Sequence, residues 1–198
     1  SVDMSFYTSK IPHNGLTPFF TGRTYIHPDQ EYFIKFKRFL TFSDYSISEE
    51  WRNFRYALIP NINILSGIYS ANNFDPLVTE RYFRWMEKVS DLPSDARQPW
   101  YNMMNVTAVE TRQRHSHLSI RFEPVEGSNR FWIFPCAKSV KQPETAWGEV
   151  IKQMSQQTGS FEPGVLIVEG NGTENQSCEQ VIHADVTVLL ENSNYLTV

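Results

Sequence analysis

The chain has 198 residues, of which 40% are hydrophobic, 20% charged and 14% aromatic, with 14 phenylalanines. That length suits one large domain or two intimate lobes, and so much apolar surface can offset chain entropy, which excludes a disordered chain. Eighteen basic against twenty-two acidic residues leave a net charge of -4, and no Lys/Arg block is present to track phosphates, so no nucleic-acid partner is expected.

The predicted elements follow in chain order. Ser1-Val2-Asp3-Met4-Ser5 lacks the basic stretch and apolar core of a secretion signal. Gly22 to Ile26 reads as a strand ended by His27-Pro28-Asp29. Tyr32 to Phe42 fits a helical face through Tyr32, Phe33, Phe36, Phe39 and Leu40, although Ile34-Lys35-Phe36-Lys37 alternates like a strand; helix is the preferred reading. Ser48 with Glu49 and Glu50 is a helix start, followed by Trp51, Phe54 and Leu58 on one face and closed by Pro60.

The clearest helix is predicted from Asp75-Pro76, an N-cap followed by proline at the first helical position. Val78, Tyr82, Trp85, Met86 and Val89 form its apolar stripe, and it should stop before Pro93. A short apolar turn from Trp100 to Met104 precedes strands over Val106–Thr111, His117–Phe122 and Arg130–Phe134, the last two joined through Gly127-Ser128-Asn129. A helix over Glu144–Gln157 buries Trp147, Val150, Ile151 and Met154 and ends at Gly159. Val165–Glu169 is a buried-type strand, Val181–Leu190 an alternating one, and a last strand begins at Tyr195. The sum is an α+β fold: a mixed sheet with helices packed on one side and a strand-rich C-terminal half. It is read as a single domain over residues 1–198, with sub-lobes 1–98 and 99–198. The most apolar short run, Val165-Leu166-Ile167-Val168, is strand-sized, far below the roughly 20 residues that cross a bilayer. An end inside an apparent strand reads as a piece of a longer protein.

Chemistry-bearing motifs are sparse. His115-Ser116-His117 places two imidazoles on one side of an extended segment, but no third ligand stands at a metal-site spacing, so exposed turn histidines are the reading adopted. Gly170-Asn171-Gly172-Thr173 is a turn, with no helix start behind it to favour an anion. There is no Gly-x-Ser-x-Gly elbow, phosphate loop or His-Glu-x-x-His. Cys136 and Cys178 are too few for a metal site or a disulfide scaffold, and leave a single bridge or two buried thiols equally open. No catalytic residue, metal or cofactor is therefore expected.

One ordered set of motifs points further. Pro60-Asn61-Ile62-Asn63-Ile64-Leu65-Ser66-Gly67-Ile68, then Asn72-Asn73-Phe74-Asp75-Pro76-Leu77 and Arg81-Tyr82, resembles a segment of the YfhO-like bacterial membrane proteins. Trp100–Val109, Asn129-Arg130-Phe131-Trp132-Ile133-Phe134-Pro135 and Phe161-Glu162-Pro163 with Val165–Glu169 follow in the family's order. The resemblance covers residues 20 to 170. It departs at Asn129, where the family has proline, and the membrane spans and catalytic carboxylate of the family lie in segments this chain lacks.

The resemblance implies a domain on the extracytoplasmic face of the bacterial membrane, partnered with the membrane-spanning remainder of a glycosyltransferase-like protein. Its task would be to position a glycan or cell-surface polymer acceptor. Six residues are candidates for ligand contact: Asn61 and Asn73 as amide partners of sugar hydroxyls, Asp75 and Arg81 from the resemblance, and Trp100 and Trp132 as aromatic platforms for a sugar face. Each also has a structural reading, in turns, caps or packing. Two further functions stand beside this one: a structural or interaction domain that binds no ligand, and a carbohydrate-active hydrolase, which requires two carboxylates across a cleft.

Overall fold

A computed structural model describes residues 21–39, 55–72, 77–111, 121–126, 129–170, 190–191 and 196–197. The helix start at Ser48, the His115–His117 pair, the turns at 127–128 and 192–194, and residues 171–189 lie outside them. The fold is α+β, with helices, a mixed four-stranded sheet and smaller sheets. Two compact units divide the chain, Ser1–Ser128 and Asn129–Val198.

In the first unit, strand β1 (Arg23–Tyr25) lies between β2 (Tyr69–Ser70) and β3 (Val106–Thr111), parallel to both, and β4 (Arg121–Pro124) runs antiparallel to β3. The unit extends past residue 98 because β3 pairs with β1 inside the same sheet. Gly22 makes the β1–β3 approach possible: a Cβ there would overlap the Asn105 carbonyl and stand 2.7 Å from the Thr107 methyl. Instead, the Gly22 amide donates to Thr107 Oγ1 at 3.1 Å and the Arg23 amide to the Asn105 carbonyl at 2.7 Å.

Pro28 ends the extended run and opens helix α1 (Pro28–Tyr32), which continues as a π-helical stretch over Phe33–Phe39. The ambiguous segment is thus helical over its described part. Around it a core gathers Ile26, Ile34, Ala57, Leu58, Ile59, Ile68, Ala108 and Phe122. Leu58 joins that core from a turn at φ 50°, not from a helix face. The left-handed backbone costs about 1–2 kcal/mol, and full burial of the leucine side chain (1% exposed) offsets a similar amount.

Helix α2 (Glu80–Asp91) starts later than Asp75-Pro76 implied. Leu77 to Thr79 are not helical, and Thr79 is the N-cap in an extended conformation (φ -64°, ψ 143°). Two adjacent β-branched residues, Val78 and Thr79, favour such backbone over a helical turn. The stop before Pro93 is as expected. Arg97 then covers the helix end, donating from Nε to the Leu92 carbonyl at 2.8 Å and from its guanidinium to the Ser90 carbonyl at 2.9 Å. Residues Gln98–Met103 form helix α3, where a turn was expected.

The second unit is a strand–helix–strand arrangement: β5 (Cys136–Val140), α4 (Pro143–Gln156) and β6 (Val165–Glu169), with β5 and β6 parallel. Two further strands, β7 (Leu190–Glu191) and β8 (Leu196–Thr197), pair antiparallel. The strand expected over Arg130–Phe134 is not one; the ladder begins at Cys136. Trp132 and Phe134 of that segment pack instead on Phe161, at ring-centroid distances of 4.8 and 6.3 Å. Nor is β6 fully buried, since Leu166 and Val168 are 41% and 43% exposed.

Gln153 on α4 and Gln157, which caps its C-terminus, anchor the return to β6. Gln153 accepts from the Val165 amide at 3.0 Å and donates to its carbonyl at 3.1 Å. Gln157 treats Glu162 the same way, at 3.0 and 3.1 Å. Gly164 leaves room for the first clamp, because a Cβ there would stand 2.8 Å from Gln153 Oε1. Cys136 is disulfide-bonded; the chain's other cysteine, Cys178, lies outside the described residues. Among the described residues no helix is long and apolar enough to cross a membrane.

Candidate functional site

The first unit carries a cavity of about 520 Å³ beside strand β2, within the size range of small-molecule sites. Three stretches and one strand residue build it: Pro60 to Ile64, Tyr69 to Asn72, Leu77 to Tyr82, and Arg23. The sequence places them there through local devices. Asn61 holds φ 76°, a conformation asparagine tolerates, and so turns the chain after Pro60. A 3-10 turn over Asn63–Ser66 ends at Gly67 in the left-handed region (φ 67°), with the buried Asn63 amide donating to the Ile68 carbonyl. The chain then enters β2, where the register sets Tyr69 beside Arg23.

Asn72 locks this arrangement. Its Oδ1 accepts from the Ile26 amide at 2.8 Å, and its Nδ2 donates to the Ile26 carbonyl at 2.7 Å and to Glu31 Oε2 at 3.1 Å. Glu31 in turn pairs with the buried Lys35. One amide side chain therefore joins the end of β1, the end of β2 and helix α1. On the far wall the Tyr82 hydroxyl donates to the Ala71 carbonyl. Burial raises the Tyr82 hydroxyl above its ordinary pKa, with the nearby Arg23 charge pulling the other way, so the phenol stays neutral and protonated.

The cavity's character is aromatic, amide and hydroxyl. Tyr69 is 72% exposed, and Ile64 and Leu77 also present apolar surface. Asn61, Ser70 and Thr79 supply polar groups. Arg23 is the one charged side chain among the described lining residues. No carboxylate pair and no histidine lines it among those residues. Elsewhere among the described residues, no three His, Cys, Asp or Glu side chains cluster as metal ligands.

Of the six candidates, Asn61 lines the cavity, and Asn73 and Asp75 lie outside the described residues. Arg81 is exposed at the start of α2 but is not among the described lining residues; its neighbour Tyr82 is. Trp100 cannot serve as a sugar platform. It is 1% exposed, with its ring 4.6 Å from that of Trp85, and so belongs to the core. The proline before it starts a helix whose Pro99, Trp100, Tyr101 and Asn102 are all buried. Trp132, in the second unit, is half-buried and meets Phe161 edge-on at 85°. Sequence reasoning missed Arg23, Tyr69 and Leu77. An aromatic after a polar, glycine-ended turn was the available signal for Tyr69; nothing local marked Arg23.

These features define an α+β protein whose first unit holds a polar-aromatic cavity. Comparison with protein-family models, curated proteins and solved structures finds no match to the chain.

Proposed function

We propose that this chain is an accessory extracytoplasmic domain of a glycosyltransferase-like bacterial membrane protein, and that its cavity positions a glycan or cell-surface polymer acceptor. The observation that carries the reading is a coincidence of place. The segment whose motifs resemble the YfhO-like proteins is also the segment that walls the cavity, from Pro60 and Asn61 to Leu77 and Tyr82. An exposed tyrosine ring offers a face to the C–H side of a sugar, while amides and hydroxyls around it match sugar hydroxyls. The disulfide at Cys136 fits an oxidising compartment, as the extracytoplasmic assignment requires. The partner in this reading is the membrane-spanning remainder of the protein.

The test is a two-dimensional amide NMR titration of the whole chain with a panel of neutral and acidic saccharides. Shifts confined to Arg23 and residues around 60–82 at millimolar ligand are expected. Tyr69→Ser should weaken them about tenfold, the upper end of what one aromatic contact contributes. Silence across the panel at roughly 10 mM, equivalent to less than about 3 kcal/mol of binding, rejects the glycan reading. One observation favours the alternative of a packing domain without ligand: Tyr32, Phe33 and Phe36 on α1 and its π-helical extension are 56%, 46% and 48% exposed. Such a surface suits contact with another part of a larger protein.

A further inference from the structure

The charge distribution of the cavity narrows the class of ligand, on the premise that the cavity binds a saccharide. Arg23 is mounted on the central strand of the sheet, in register with Tyr69 on β2, so a cationic group and an exposed aromatic ring are adjacent on a rigid base. No acidic side chain is among the described lining residues. Among the described residues no ion pair or side-chain hydrogen bond engages the Arg23 guanidinium, in contrast to Lys35, which is paired with Glu31, and Lys138, which is paired with Glu149. The start of the twelve-residue helix α2 also borders the cavity through Val78 and Thr79, but Glu80 in its first turn sets a carboxylate against the partial positive charge of the helix end, which leaves the cationic field to Arg23. A neutral sugar would leave the guanidinium unanswered; an acid group on the sugar would answer it with a charge-assisted bond.

We infer that the cavity takes an anionic saccharide, one bearing a carboxylate or a phosphate, with its ring against Tyr69 and its acid group on Arg23. The experiment titrates the whole chain at low salt with matched sets: glucose, glucuronate and glucose 6-phosphate; galactose and galacturonate; N-acetylglucosamine and its 6-phosphate. At least one acidic member should bind about fivefold tighter than its neutral parent, the gain expected of one exposed charge pair. The preference should shrink as salt is added, and whichever of the uronate or phosphate arms carries it identifies the acid. Arg23→Gln should bring the acidic and neutral affinities together, and Arg23→Lys should keep part of the difference. Equal affinities within every set, or a preference that survives Arg23→Gln, would overturn the inference while leaving the glycan reading standing. No binding by any member at roughly 10 mM defeats both.

Discussion

Asn72→Ala tests whether the cavity has the scaffold described. The substitution removes hydrogen bonds from both backbone groups of Ile26, at 2.8 and 2.7 Å, and a third from Glu31 at 3.1 Å. Ile26 is fully buried, so water does not replace those partners without local opening. Each buried group left unsatisfied costs about 1–3 kcal/mol. Asn72 itself is 8% exposed, which lets the vacated space admit some solvent and argues for the lower part of that range. The expected loss is about 3 kcal/mol. Asn72→Asp separates hydrogen bonding from shape: it keeps the acceptor for the Ile26 amide but sets a carboxylate against the Ile26 carbonyl and Glu31. At neutral pH it should cost more than the alanine.

That carboxylate would have its folded-state pKa raised by Glu31 and the carbonyl, above the unfolded value of about 3.9. The variant's relative stability is therefore greatest below that unfolded value and is lost as pH rises through the folded one. Urea unfolding of the three proteins across pH, with hydrogen exchange at the Ile26 amide, measures both effects. An Asn72→Ala loss below about 1 kcal/mol with the Ile26 amide still protected would refute this account of how β1 and β2 are joined.

Trp100→Ala should destabilise the chain by about 3–5 kcal/mol, read from denaturant midpoints, because the ring is buried against Trp85; a near-neutral result would return Trp100 to the list of ligand contacts. Gln153→Ala should cost about 1–2 kcal/mol and raise the exchange rate of the Val165 amide, which loses its side-chain acceptor; unchanged exchange would show that the clamp holds nothing. Burial lifts the hydroxyls of Tyr25, Tyr82 and Tyr101 above the ordinary 10.0, with Tyr101 adding to the effect at Tyr25 and Arg97 opposing it at Tyr101. Since the folded values lie above the unfolded one, the stability these groups confer is whole below pH 10 or so and is lost as pH rises through the folded values. A phenolate absorbance titration should show a class of tyrosines that ionises only together with alkaline unfolding, and full ionisation of the native protein at the ordinary value would contradict their burial.

The sequence by itself determined the elements whose signals are local. Proline and glycine punctuation, with helical or alternating patterning, marks β1, β3, the end of α2, all of α4 and the strand at β6, because each such preference acts within a few residues. The α+β class follows from that list alone. Where one residue type serves two purposes, local reasoning failed: Trp132 and Phe134 pack on Phe161 outside any strand, and Pro99 before Trp100 opens a buried helix where a short apolar turn was expected. The cavity was decided by tertiary structure. Asn61 was legible as a polar turn residue, but Arg23 joins it only because β1 pairs in parallel with β2, and Asn72 holds the two strands through a distant backbone. Parallel pairing unites segments far apart in the chain, so no short-range pattern announces which side chains will share a wall.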